Sequence, residues 1–293
     1  MPSHPIEVRM KKNVLFVSLI AILAVNSLRA QMPGDKPAVV RLDPALDALV
    51  SAEAKLDLVK NDFGFTEGVV WVDEGKSGYL LLSDMYANVI YKVTPEGKVS
   101  LYLNHSGYTG YDKRFGGTND LVVKKDGAIY FTDGFGGLRG RDKDPGKELD
   151  FAGIFMWKDG KVTLAIKDIP TPNGLAFSPD EKILYANGSQ NRYVRRYDVE
   201  PDDTLTNSQM LIDMNSDPAP GITDGMKVDT KGNIYESGPG GIWILSPEGK
   251  HLGTIRTPEF VANVAFGDAD NKTLYIAART GVYKIRVNTP GIR

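Results

Sequence analysis

Downstream of residue 54 the chain alternates short apolar runs with polar turns, a pattern of many short segments rather than long helices. One phrase recurs: a strand, a turn, and a second strand beginning with or containing Tyr. Its five copies, EGVVWVDEGKSGYL, NDLVVKKDGAIY, NGLAFSPDEKILY, DGMKVDTKGNIY and NVAFGDADNKTLY, begin at Glu67, Asn119, Asn173, Asp224 and Asn263. Each reaches its Tyr (Tyr79, Tyr130, Tyr185, Tyr235, Tyr275) after 12, 11, 12, 11 and 12 residues, so the five leading residues are structurally equivalent. Successive copies start 52, 54, 51 and 39 residues apart, near the 40 to 50 residues of a four-stranded propeller blade.

The remaining strands fall where such blades need them: VIYKV and VSLYL, GIFMWK and KVTLAI, YVRRYDV and QMLIDM, then GIWILS and HLGTIRT. The fifth copy has only GVYKIRV before the chain ends, and AKLDLV at 54–59 can supply its missing outer strand. The pattern therefore predicts an all-β protein, a β-propeller of four-stranded blades with five blades countable. Its ring is closed by an N-terminal outer strand, which hides an open edge.

Composition supports this: 31 Gly and 17 Pro without a G-X-Y period mark turns. The first thirty residues stand apart. Lys11 and Lys12 precede an apolar run at 14–25, and NSLRAQ follows with a cut after Ala30, the layout of a secretory signal peptide. The run is shorter than the ~20 residues a spanning helix needs. Met10 makes a better start than Met1. The expected organisation is a signal peptide at 1–30, a lead-in at 31–53 and one propeller domain at 54–289. The expected product is exported, periplasmic or secreted, with no membrane contact once the leader is cleaved.

Without the leader, 31 basic residues face 36 acidic ones. This mild acidity, with no basic stripe, argues against nucleic acid as a partner. The absence of cysteine removes disulfides, thiolate zinc sites and thiol nucleophiles together.

In a propeller the first strand of every blade lines the axis, so Glu67, Asn119, Asn173, Asp224 and Asn263 ring one mouth of a channel. Asn and Asp also head strands because they favour turns, but Glu67 is a poor turn residue. Two carboxylates converging in a partly desolvated channel repel each other unless a cation compensates. An all-oxygen set with no His or Cys suits Ca²⁺, then Mg²⁺ or Mn²⁺, with Zn²⁺ less natural.

The phrases FTEGVVW, NDLVVKKDGAIYFTD, PNGLAFSPDEKILY and DGMKVD, in this order, resemble the SMP-30/gluconolactonase/luciferin-regenerating family from about residue 40 to 287. The resemblance implies a propeller lactone hydrolase whose divalent ion sits on Glu67, Asn173 and Asp224, with Asn119 as a further metal or substrate position. Family members usually have six blades. Here only NHSGYTGYDKRFGGT at 104–118 separates the first two copies, too short for four strands.

On this reading a metal polarises the lactone carbonyl while Asp224, or Glu67, takes the proton of the attacking water. Asn119 and Asn263 face substrate. Strand polarity puts Tyr86, Arg139 and Asn191, on loops after second strands, at the same rim as selectivity residues. The three histidines and the lack of a G-x-S-x-G elbow leave a Ser-His-Asp triad improbable. The expected partner is a small lactone and the expected state a monomer. The competing reading is a metal-stabilised, non-catalytic binding propeller.

Overall fold

The computed structural model describes residues 36–74, 77–84, 89–104 and 117–292. The expected leader at 1–30 and Tyr86 lie outside them. Among the described residues no helix is long and apolar enough to cross a membrane.

Among the described residues twenty-one strands form five antiparallel blades. The first blade holds β3 (Thr66–Asp73), β4 (Gly78–Asp84), β5 (Val89–Val93) and β6 (Val99–Asn104). The second holds β7 (Thr118–Val123), β8 (Ile129–Asp133), β9 (Gly153–Lys158) and β10 (Lys161–Ile166). The third holds β11 (Pro172–Phe177), β12 (Ile183–Gly188), β13 (Tyr193–Val199) and β14 (Leu205–Asp213). The fourth consists of β15 (Met226–Val228), β16 (Ile234–Gly238), β17 (Gly241–Leu245), β18 (His251–Arg256) and an added outer strand, β1 (Val39–Arg41). The fifth has β19 (Val261–Gly267), β20 (Thr273–Ala278), β21 (Gly281–Arg286) and, as its outer strand, β2 (Asp57–Lys60).

The N-terminal closing strand is thus where the sequence places it, with Asp57 opposite Lys284 and Leu58 opposite Tyr283. The lead-in contributes more than a connection. β1 pairs with β18, and Leu46, Leu49 and Val50 after it are buried against the fourth and fifth blades.

The recurring tyrosines explain why the repeat keeps its spacing. Each lies on a second strand, and four of the five press against the first strand of the next blade. Tyr130 meets Phe177 edge-on at 5.4 Å, Tyr235 meets Phe266 at 5.1 Å, and Tyr275 stacks on Trp71 at 5.5 Å. Tyr185 shares a core with Val228. Such pairs add ~0.5–1.5 kcal/mol beyond area burial.

Tyr79 breaks the series. The Lys92 ammonium of its own blade covers its ring at 3.6 Å, and Val123, at the matching position of the second blade, is 56% exposed. The buried apolar residues form four clusters, between blades two and three, three and four, four and five, and five and one. Among the described residues none bridges blades one and two. Burial records the same seam, for β11 and β19 are buried along their whole length whereas β3 and β7 alternate.

Candidate active site at the head of the first strands

Four of the five head residues occupy one structural level because their strands share one irregularity. The register slips between Glu67 and Val70 in β3, Thr118 and Leu121 in β7, Pro172 and Leu175 in β11, and Val261 and Asn263 in β19. A bulge at the start of a strand re-aims a side chain. Asp224 sits just ahead of β15, held by its N–H donating to Ser237 Oγ at 2.6 Å.

Two glycines let these heads approach. A Cβ on Gly174 would stand 2.1 Å from the Asp224 carbonyl oxygen, and one on Gly225 would stand 2.2 Å from Asn263 Cγ. Small residues after Asn173 and Asp224 therefore draw neighbouring blades together at the axis.

The polar groups here are buried and incompletely satisfied. Asn173 Nδ2 donates to Ser189 Oγ at 2.9 Å, while Asn173 Oδ1 and Asp224 Oδ1 are buried without a hydrogen-bond partner. Burial pushes the Asp224 carboxyl well above the usual carboxylate range, and Glu67 pushes it the same way against the opposing Asn173 amide. Burial likewise raises Glu67 to about 7, opposed by the Gly68 N–H and reinforced by Asp120. Glu67, Asn173 and Asp224 are thus brought together.

The other expected residues behave differently. Asn263 is buried, its Oδ1 accepting the Val264 N–H at 2.8 Å. Asn119 is exposed on β7 beside the seam, and its neighbour Asp120 is the carboxylate that Glu67, Asp224 and Glu236 sense. Arg139 is exposed on the loop after β8, near Asp144 of the same loop. Asn191 is exposed, and its carbonyl accepts from Asn215 Nδ2 at 2.8 Å.

Three residues escaped sequence reasoning. Asp120 accepts the Leu175 N–H at 3.4 Å, linking blades two and three. Asn187 donates to Glu236 Oε1 at 2.9 Å and to the Asp224 carbonyl, while its Oδ1 accepts the Gly174 N–H at 3.1 Å. Glu236 is fully buried in β16, which drives its carboxyl far up despite Asn187, the Asp224 N–H and Ser237. One signal was available: Glu236 is the single acid inside the strand IYESG, right after the repeat Tyr.

The donor set fits a hard cation on one condition. Among the described residues no three His, Cys, Asp or Glu side chains gather as a metal cage, so amide oxygens must complete it. Asn173 Oδ1, orphaned beside Asp224, is the kind of neutral ligand such an ion takes.

Comparison with known proteins bears on the family and the fold. The model of the SMP-30/Gluconolactonase/LRE-like region matches residues 106–280. A gluconolactonase from Zymomonas mobilis is 31% identical over 314 residues, covering 86% of this chain and 87% of that one. The structure of a Xanthomonas campestris gluconolactonase superposes with a TM-score of 0.75 at 24% identity, over 86% of this chain and 95% of that one. A calcium-binding regucalcin from Agrobacterium tumefaciens gives 0.63 at 16%, over 82% and 98%. These last two show the shared fold.

Proposed function

Because the chain belongs to the SMP-30/gluconolactonase/LRE-like family, we propose that it hydrolyses a small sugar-type lactone at the mouth ringed by Glu67, Asn119, Asn173 and Asp224. The observation that carries this reading is the pair of orphaned buried oxygens, Asp224 Oδ1 and Asn173 Oδ1, facing a site where Glu67 is held near neutrality. Uncompensated buried polar atoms cost free energy, and a ligand that uses them removes that cost.

A divalent cation, Ca²⁺ before Mg²⁺, Mn²⁺ or Zn²⁺, would be held by Glu67, Asn173 and Asp224, with Asn119 as the further position, and would supply Lewis-acid polarisation of the lactone carbonyl. Asp224 or Glu67 takes a proton from the attacking water, a role served by a carboxyl whose burial brings its pKa toward the working pH. The water oxygen bonds to the carbonyl carbon, the ring C–O bond breaks, and the proton passes to the departing alkoxide, giving a hydroxy acid. Asn119 and Asn263 orient the lactone, and Arg139 and Asn191 shape the rim.

A second reading, a metal-stabilised propeller that binds without turnover, is favoured by the exposure of Asn119 beside the seam. Acid release from a panel of aldonolactones, followed with melting temperature in calcium and in EDTA, separates the two. The hydrolase reading expects turnover that EDTA abolishes, and melting shifts without turnover of any lactone support the binding propeller. The basic, apolar leader supports placing this activity outside the cytoplasm.

A further inference from the structure

In three blades the residue two positions after the repeat Tyr caps the head of the first strand. In the second blade Thr132 Oγ1 accepts the Asp120 N–H at 3.0 Å, and in the fourth Ser237 Oγ accepts the Asp224 N–H at 2.6 Å. In the third blade the task falls to Asn187, whose Oδ1 accepts the Gly174 N–H at 3.1 Å. The register slip between Pro172 and Leu175 leaves Gly174 outside the ladder, so a side chain satisfies its N–H instead.

A hydroxyl suffices for this cap, as Thr132 and Ser237 show, but Asn187 does more. Its Nδ2 crosses to the fourth blade, donating to the Asp224 carbonyl and to Glu236 Oε1, the latter at 2.9 Å. One fully buried side chain thus joins the backbone just after Asn173 to the backbone of Asp224, with Glu236 steadying the arm. Its two ends are not interchangeable. Reversed, the amide would set its NH₂ against the Gly174 N–H and its oxygen against two acceptors. Gly174 leaves room for the arm, since a Cβ there would stand 2.7 Å from Asn187 Nδ2.

We propose that Asn187 is a positioning residue that sets the separation of Asn173 and Asp224, and through them the affinity for a divalent cation. The inference rests on the cation site of the proposed function, on which Asn187 acts only through those two residues. The affinity of an oxygen cage follows from the spacing and rigidity of its ligands. Here both depend on one amide bonded to three groups across two blades.

The test is calorimetric titration of the purified full chain with calcium chloride at one fixed pH, with melting temperature confirming that each variant is folded. Asn187→Ser keeps a hydroxyl to cap Gly174 but lacks the arm, and should weaken calcium binding about 10- to 100-fold. Asn187→Asp keeps the shape and the Gly174 bond but cannot donate when ionised. Its charge alone would attract the cation, yet it should weaken binding too, and it decides the question if Asn187→Ser does not fold. Asn233→Ala removes a buried amide from the other end of the fourth blade, where Nδ2 donates to both Asp229 oxygens. That control should lower the melting temperature and leave calcium affinity unchanged. Parent-level affinity in Asn187→Ser, tighter binding in Asn187→Asp, or an equal loss in Asn233→Ala would each overturn the proposal. A parent chain that binds no calcium overturns the cation site itself, and this role with it.

Discussion

Asn187 ties Glu236 to the back of the site, donating to its Oε1 at 2.9 Å while accepting the Gly174 N–H at 3.1 Å. The other carboxylate oxygen, Oε2, is buried with no partner, and the group is driven above its ordinary 4.5 by burial. Between those two pKa values the folded chain keeps a proton that the unfolded chain has released. Stability therefore falls as pH rises, by up to about 1.4 kcal/mol per pH unit. In Glu236→Gln this contribution to the slope disappears, and the variant should be more stable than the parent at pH 7 in urea unfolding. Parallel pH profiles for the two proteins would refute the assignment.

Calcium affinity should depend on pH through Glu67. Held near 7 without a cation, this carboxyl must lose its proton to act as a ligand, so affinity should rise about tenfold per pH unit up to pH 7 and then flatten. Asp224, also raised by burial and by Glu67, steepens the dependence. Calorimetry between pH 5.5 and 8 reads it directly, and a flat profile would count against both ligands.

Replacing Asp224 by Asn removes one of two mutually repelling carboxylates from a buried site. The metal-free variant should melt at or above the parent temperature, whereas the calcium-induced shift should vanish and lactone turnover drop by at least ~100-fold, about 2.7 kcal/mol of transition-state stabilisation. Retained turnover would remove Asp224 from the mechanism.

The tyrosine series predicts an asymmetry. Tyr130→Ala empties a ring site packed on Phe177 and should cost about 3–5 kcal/mol. Tyr79→Ala removes a ring whose partner is the Lys92 ammonium and should cost at least about 1 kcal/mol less. Equal losses would show that the first blade is packed on its far side after all.

Removing residues 1–53 leaves the closing strand β2 in place but deletes β1 and the buried Val39, Leu46, Leu49 and Val50. At ~1.5–3 kcal/mol per buried aliphatic side chain, the shortened chain should melt well below the full one by calorimetry. An unchanged melting temperature would make the lead-in dispensable.

Much of this was legible in the sequence because it rests on spacing. A head residue and a Tyr eleven or twelve positions apart must lie on adjacent antiparallel strands, so Glu67, Asn173 and Asp224 converge wherever those strands meet. β1 was not legible, since three residues, VVR, pair with β18 only because the fourth blade offers an edge. Asp120, Asn187 and Glu236 were hidden for another reason. Their roles come from cross-blade neighbours, such as Leu175 for Asp120 and the Asp224 carbonyl for Asn187, which no local pattern encodes. The bulge at the head of β7 also decides which of Asn119 and Asp120 the site senses, and a two-residue alternation cannot foresee it.

The pairing of Asp57 with Lys284 ties an early-made strand of the propeller to its last-made one. During translation the fifth blade cannot gain its outer strand until nearly the whole chain has been synthesised. Contacts this remote in sequence make for slow folding. A pulling force applied at the two ends of the ring would act first on this same short ladder, so blade five is where the protein should begin to unzip.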